Sequence, residues 1–291
     1  MASSIVCAVD ESPHARTAAR LGADLASRLG LATVAVHALV PSTAAAARAP
    51  APPTSGDVLA GEERARRERL ARWLANAGLL DVRGRVEVGF VPAVISAVAE
   101  EENAALIALG THGAGGLRAL LRGSVSGTML HTARHPLLLV PSAAIAAEPP
   151  TGPVVAAVGG PSDAGWVAVA ATLARAYRAP LLLTHASGSC DGAMEGVPPA
   201  ALDAFGPALA ALRDRPSSVL TRVCPGPPGD VLTTLAGAVD ARAIVCGTRG
   251  YGALRAGLFG STARRLVSGA STPVVVCPPR RARRTRVLEA A

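Results

Sequence analysis

Short runs that are almost wholly apolar alternate along the chain with longer stretches in which apolar residues recur every three or four positions. The short runs fall at 5–10, 32–39, 106–109 and 136–140, and again at 154–159, 181–186, 243–246 and 273–277. Strands this uniformly apolar are buried on both faces, as in a parallel sheet covered by helices. The longer stretches include 13–29, 162–178 and a segment where Val94, Val98 and Ala105 oppose Glu100, Glu101 and Glu102. Such spacing marks amphipathic helices. Strands alternating with helices of about 10 to 20 residues imply right-handed crossovers within a parallel sheet.

The pattern occurs twice. A first strand, a helix and a second strand ending near His37 are matched by a first strand, a helix and a second strand ending near His185. Later, 106–109 runs into Gly110-Thr111-His112-Gly113 and 243–246 into Gly247-Thr248-Arg249-Gly250, each followed by a helical segment, a proline and a last apolar run. Each half therefore reads β-α-β-α-β-α-β-α-β. His37 to Gly110 is 73 positions and His185 to Gly247 is 62, so the first copy is longer there by 11. The surplus lies in the Ala/Pro-rich stretch 41–56, which reads as a mobile loop. The division is a first domain at 1–142, a linker at 143–152 around Glu148-Pro149-Pro150, a second domain at 153–278 and a tail at 279–291.

Composition narrows the chemistry. A chain of 291 residues is long enough for two small domains, and 2% aromatic content leaves the cores to Ala, Val and Leu. The net charge is +8 and every basic side chain is arginine. A Walker-type phosphate loop, which needs a lysine, is therefore excluded. Much of the positive excess sits in Arg280, Arg281, Arg283, Arg284 and Arg286. That tail reads as a disordered, solubilising extension, with polyanion binding as the alternative; it lacks aromatic residues for base stacking. Cys7, Cys190, Cys224, Cys246 and Cys277 form no C-x-x-C pair and read as buried or incidental thiols of a reducing compartment. Residues 1–10 do not resemble a secretory signal, and no apolar run approaches the roughly 20 residues of a membrane span. The expectation is a cytoplasmic protein.

The decisive constellation follows the fourth strand of each half. It reads Gly110-x2-Gly113-x9-Gly123-Ser124-Val125-Ser126 in the first, and Gly247-x2-Gly250-x9-Gly260-Ser261-Thr262-Ala263 in the second. Glycines after a strand let the backbone turn and approach a ligand without a Cβ in the way. The closing Gly-Ser opens a helix, whose unpaired amides and dipole attract an anion. One such loop reads equally as a plain N-cap; two with the same spacing, both at the carboxyl end of a parallel strand, point to phosphate.

These residues resemble the ATP-binding signature of the universal stress protein family in its tandem form, and the likeness covers the chain except its tail. The resemblance implies an α/β fold of two flavodoxin-like (Rossmann-like) domains, each a five-stranded parallel sheet of order 3-2-1-4-5, paired through their last strands as a pseudo-dimer. It implies ATP, with Mg²⁺ or without, across the ends of strands 1, 2 and 4. Asp10 would approach the ribose or adenine, and the backbone around Ala38 would face the adenine. Gly110, Gly113, Gly123, Ser124, Val125 and Ser126 would hold the phosphates. The alternative for Asp10 is a carboxylate capping the following helix. In the second half Gly159 stands where Asp10 stands, Asp163 lies too far along for a simple substitute, and Ala186, Gly247, Gly250, Gly260, Ser261 and Thr262 remain.

His37 and His185 read as hydrogen-bonded sheet histidines rather than catalysts. His112 and Arg249 fit a phosphate contact, a solvated loop or an interface equally well. Glu100, Glu101 and Glu102 point in different directions around a helix and read as a solvated face rather than a metal site. Glu62, Glu63, Arg64, Arg66, Arg67, Glu68 and Arg69 read as an exposed, ion-paired helix surface. Three functions remain open: a nucleotide-dependent stress-response regulator that binds rather than turns over ATP; a slow ATPase or self-phosphorylating protein using Ser124, Ser126 or Thr262; and a nucleotide-independent interaction module, in which a homodimer is one arrangement.

Overall fold

The computed structural model describes residues 4–40, 55–111, 125–141, 144, 149–160, 163–187, 199–212, 216–248 and 260–279. The first half runs β1 (Ser4–Ala8), α1 (Pro13–Leu29), β2 (Ala32–Leu39), α2 (Ser55–Asn76), β3 (Arg83–Val88), α3 (Val91–Glu101), β4 (Ala104–Gly110), α4 (Val125–Thr132) and β5 (Leu137–Val140). The second runs β6 (Val154–Ala157), α5 (Ala164–Ala176), β7 (Leu181–Ala186), α6 (Pro199–Ala210), β8 (Val219–Cys224), α7 (Pro228–Ala238), β9 (Ala243–Gly247), α8 (Ser261–Gly269) and β10 (Val274–Cys277). The alternation expected from the apolar runs is present in both halves. The stretch 41–56 is not all loop, because α2 already begins at Ser55; its remainder, the linker residues 145–148 and the tail from Arg280 lie outside the described residues.

Local signals set the helix ends. The Ser12 hydroxyl accepts the Ala15 amide at 3.1 Å, Pro13 opens α1, and Gly30 closes it at φ 66°, returning its amide to Ala26 and Ser27. A polar cap, an early proline and a left-handed glycine are the usual frame of a helix. The second half ends its first helix with the same turn of the chain, but on Arg178 at φ 51°.

All ten strands form one sheet in the order β3-β2-β1-β4-β5-β10-β9-β6-β7-β8. Each half is thus 3-2-1-4-5, and the two meet where β5 and β10 pair antiparallel, Leu139 opposite Val274, Leu138 opposite Val275 and Leu137 opposite Val276. Every other pairing is parallel. The carboxyl ends of β1 to β5 therefore lie on one rim of the sheet, and those of β6 to β10 on the opposite rim.

Alternate residues on each strand point to opposite faces, and two apolar clusters result. Ile5, Cys7 and Ala108 pack with α1, α2, α5 and α6, through residues such as Leu25, Leu70, Leu173 and Phe205. Val6, Ile107 and Val276 pack with α3, α4, α7 and α8, through Ile95, Met129, Leu232 and Leu266. Across the junction Arg28 of α1 stacks over the Tyr177 ring at 5.1 Å, and Arg242 lies 5.5 Å from that ring. Burial pushes the Tyr177 hydroxyl up to about 12.

Small residues bring α1 onto the sheet. A Cβ on Gly22 would stand 2.6 Å from Cys7 Sγ and 3.2 Å from Ala108 Cβ. Burial pushes the Cys7 and Cys246 thiols up to about 12, which leaves them as inert packing groups, as the sequence suggests. No helix among the described residues is long and apolar enough to cross a membrane. Alanine at position 22 would improve helix propensity by about 1 kcal/mol, but overpacking a core costs about 1–3 kcal/mol. Gly22→Ala is therefore expected to lower unfolding stability in urea titration by about 1 kcal/mol, and Cys7→Ala placed beside it to return part of that loss.

Candidate functional site

In a sheet of order 3-2-1-4-5 the chain leaves strands 1 and 4 in opposite directions, which opens a crevice outside their carboxyl ends. In the first half that crevice lies beyond β1 and β4. Val9 continues the ladder, its amide donating to the Val36 carbonyl at 2.9 Å, and its own carbonyl accepts from His37 Nδ1 at 3.0 Å. A carbonyl only accepts, so Nδ1 carries the proton and Nε2 of the neutral ring is an acceptor. Burial lowers the His37 pKa, outweighing the Val9 bond that raises it, and favours this neutral form. The second half repeats the bond, with His185 Nδ1 2.9 Å from the Val158 carbonyl. Both histidines are sheet-end tethers, as expected from the sequence.

Past Val9 the chain turns sharply. Asp10 is exposed, and its Oδ1 accepts the Ser12 amide at 3.1 Å. The side chain that caps α1 is that of Ser12, so Asp10 is not the helix cap. Glu11 sits at φ 65°, its carbonyl accepts Trp73 Nε1 at 3.2 Å and its carboxylate accepts from Arg66 at 3.2 Å. The charged helix α2 is thus more than a solvated surface, because Arg66 and Trp73 clasp the turn beside Asp10. The sequence marks Arg66 as part of an ion-paired surface, but neither its partner Glu11 nor the part played by Trp73, because a helical surface pattern does not show which distant turn it grips.

Ala38 is half-buried next to His37, opposite Glu87 of β3. Gly110 ends β4, where a Cβ would stand 2.8 Å from His14 Cβ and 3.0 Å from its carbonyl carbon. Only glycine lets the first turn of α1 come this close. Thr111 follows, donating its amide to the Val140 carbonyl at 3.0 Å. Val125 and Ser126 open α4, with Ser126 buried. The structure thus brings Asp10, Ala38 and Gly110 to the ends of three neighbouring strands. His112, Gly113, Gly123 and Ser124 lie outside the described residues, as do Arg249 and Gly250.

In the second half Ala186 and Gly247 end β7 and β9. Thr248 donates its amide to the Cys277 carbonyl at 2.9 Å and accepts the Gly260 amide on its own carbonyl at 2.7 Å, which holds the start of α8 against the end of β9. Gly260 is extended at φ −61° and has no side chain with which to cap α8. The amides of Ser261 and Thr262 therefore begin the helix without intrahelical acceptors. Asp163 does more than its place in the sequence suggests. Its buried carboxylate reaches back to accept the amides of Gly159 and of Gly160, the latter at 2.9 Å. Trp166, also unremarked in the sequence, donates its indole N–H to the Ala157 carbonyl at 2.8 Å.

The acidic run at the end of α3 is an ion-pair cluster. Arg85 of β3 reaches Glu101 and Glu102, each at 2.9 Å, as well as Glu87, and Arg83 also bonds Glu102. The expected solvated face holds only in part. Burial pushes the Glu102 carboxyl up, but hydrogen bonds from Arg85 and Arg83 outweigh it and hold the group below the usual glutamate value. Among the described residues no group of three or more His, Cys, Asp or Glu is placed to hold a metal ion.

The sequence profile of the Universal stress protein family matches this chain twice, over residues 1–141 and 151–278. The chain belongs to the universal stress protein family. A universal stress protein of Mycobacterium tuberculosis is 36% identical over 135 residues, 46% of this chain and 44% of that protein, so the match spans less than half the relative's length. The same figures hold for one from Mycobacterium bovis. Among solved structures, a universal stress protein from Archaeoglobus fulgidus superposes with a TM-score of 0.68 at 18% identity, covering 95% of this chain and 98% of that one. At this identity the likeness shows the fold.

For this tandem universal stress protein, long-range nitrogen-15 NMR is expected to show His37 as the Nδ1-protonated tautomer at neutral pH. Glu102 gives a pH signature. Its folded pKa lies below the unfolded value of about 4.3, so its contribution is complete above that pH and is lost as pH falls through the folded value. Glu102→Gln should cost up to about 1 kcal/mol at pH 7, a difference that shrinks in denaturation curves recorded at successively lower pH as the carboxylate takes up its proton.

Proposed function

We propose that the first half binds an adenine nucleotide, ATP foremost, and that the chain acts as a nucleotide-dependent stress-response regulator which binds its ligand rather than turning it over. One observation carries this reading: an exposed carboxylate, a half-buried main-chain wall and a glycine with no room for a Cβ stand at the carboxyl ends of the neighbouring strands β1, β2 and β4, where open α/β sheets take their ligands. Asp10 would meet the ribose or base, the main chain at Ala38 the adenine, and Gly110, Val125 and Ser126 the phosphates, together with Gly113, Gly123 and Ser124. An anion at a helix N-terminus gains about 0.3–1 kcal/mol from the dipole at an exposed site, and more when partly buried. In the second half the equivalent positions are Ala186, Gly247, Gly250, Gly260, Ser261 and Thr262.

Binding without turnover fits a chain with no lysine to cradle a γ-phosphate. A magnesium ion would arrive on the nucleotide's own phosphates, with Asp10 a carboxylate that could touch it. The cytoplasm as the place of action fits the free, buried thiols of Cys7, Cys246 and Cys277. A regulator also requires that ATP favour one of two states of the chain. The turn clasped by Arg66 and Trp73 is where occupancy would be felt first.

Calorimetry is expected to show ATP binding to the wild type and roughly tenfold weaker binding to Asp10→Ala, a loss of about 1.4 kcal/mol. Gly123→Val should weaken binding further. No binding by the wild type would favour the interaction module. Release of labelled phosphate above the buffer rate in single-turnover assays would favour the ATPase.

A further inference from the structure

The two halves differ most where the first strand meets the first helix. His37 and His185 are 148 positions apart, and so are Gly30 and Arg178, the left-handed residues that close the first helices. By that offset Trp166 stands where the first half has Ala18, and α5 begins three residues later than α1. The indole reaches back over the missing turn. Its N–H donates to the carbonyl of Ala157, the last residue of β6, at 2.8 Å. Three of its ring carbons lie 2.5 to 2.9 Å from where a Cβ on Gly247, the last residue of β9, would stand. Strands β6 and β9 are hydrogen-bonded neighbours, so the ring spans the point at which ligands enter such sheets. In the first half the nearest neighbours of Gly110 are the Cβ and main chain of His14, and the residue at the place of Trp166 is the small Ala18.

A second difference points the same way. Asp10 of the first half is exposed, whereas in the second half the buried Asp163 carboxylate already holds the amides of Gly159 and Gly160. A phosphate or ribose hydroxyl arriving there would have to displace a carboxylate and an indole that are both satisfied. Stripping a buried charge of its donors is costly.

We infer that the second half is a self-occupied copy, closed to nucleotide by Asp163 and Trp166, so that the chain takes one ATP, in the first half. This rests on the nucleotide-binding reading above. The division of labour is built into the fold. The second half keeps the glycines of the family loop but fills the crevice with its own side chains, and the sheet partner it supplies through β10 does not depend on a ligand.

Native mass spectrometry and calorimetry of the full chain with ATP are expected to give one nucleotide per chain. The chain's two tryptophans provide an independent readout. With Trp166→Phe the remaining Trp73, tied to the Glu11 carbonyl beside Asp10, should change its emission on ATP addition. With Trp73→Phe the remaining Trp166 should not respond. The double variant Asp163→Ser, Trp166→Ala, checked for folding by circular dichroism, should bind two. If it does not fold, wild-type stoichiometry and the single-tryptophan emissions still decide. Two nucleotides on the wild type, or one that moves Trp166 emission and survives Asp10→Ala, would overturn the closure and leave the nucleotide-binding reading standing. A folded double variant that still binds one would overturn the role of Asp163 and Trp166. No nucleotide on the wild type would overturn the binding reading itself, and the inference with it.

Discussion

The antiparallel contact between β5 and β10 is the constraint on which the rest of the molecule depends. Each half ends in a strand that is apolar on both faces, Leu137 to Val140 and Val274 to Cys277. Left as a sheet edge, such a strand would expose both apolar side chains and unpaired main-chain groups. Joining the two removes both exposures and turns two small sheets into one of ten strands. The outer edges are strands of a different kind: β3 carries Arg83, Arg85 and Glu87, and β8 carries Arg222. Charges on an edge discourage further strand addition.

Joining the halves this way also fixes which way each set of strands points. Strand direction reverses at the junction, so the carboxyl ends of the two sets of five strands lie on opposite rims of the sheet. Within the first half, the crevice is shaped by contacts that come from far along the chain. Gly110 yields to His14, His37 tethers Val9, and α2 reaches over to hold Glu11. Precise placement of Asp10 thus depends on four separate segments.

Much of this architecture was legible in the residues. Strands buried on both faces are apolar at nearly every position, so β2 and β7 could be bounded to the residue, and the amphipathic spacing of 13–29 matched α1. The tandem repeat and the sheet-end histidines were readable for the same reason, since each is a local pattern that occurs twice. What escaped was whatever depended on distant contact. Nothing near Trp166 says that its ring will lie against Gly247, 81 positions away in sequence. Asp163 looked misplaced because linear spacing assumed a helix that starts where α1 starts; the delayed start of α5 lets the carboxylate fold back onto Gly159 and Gly160. The pairing of Glu101 and Glu102 with Arg85 likewise needed β3 beside the end of α3.

The reversal of strand direction at the centre of the sheet has one more consequence. The backbone is close to two-fold symmetric, yet its two ends are chemically unlike, one presenting the carboxylate of Asp10 to solvent and the other an indole and a carboxylate turned inward. A partner that approached the long sheet end-on would therefore meet a molecule with a head and a tail, and could tell one from the other even though the chain trace beneath them is nearly the same.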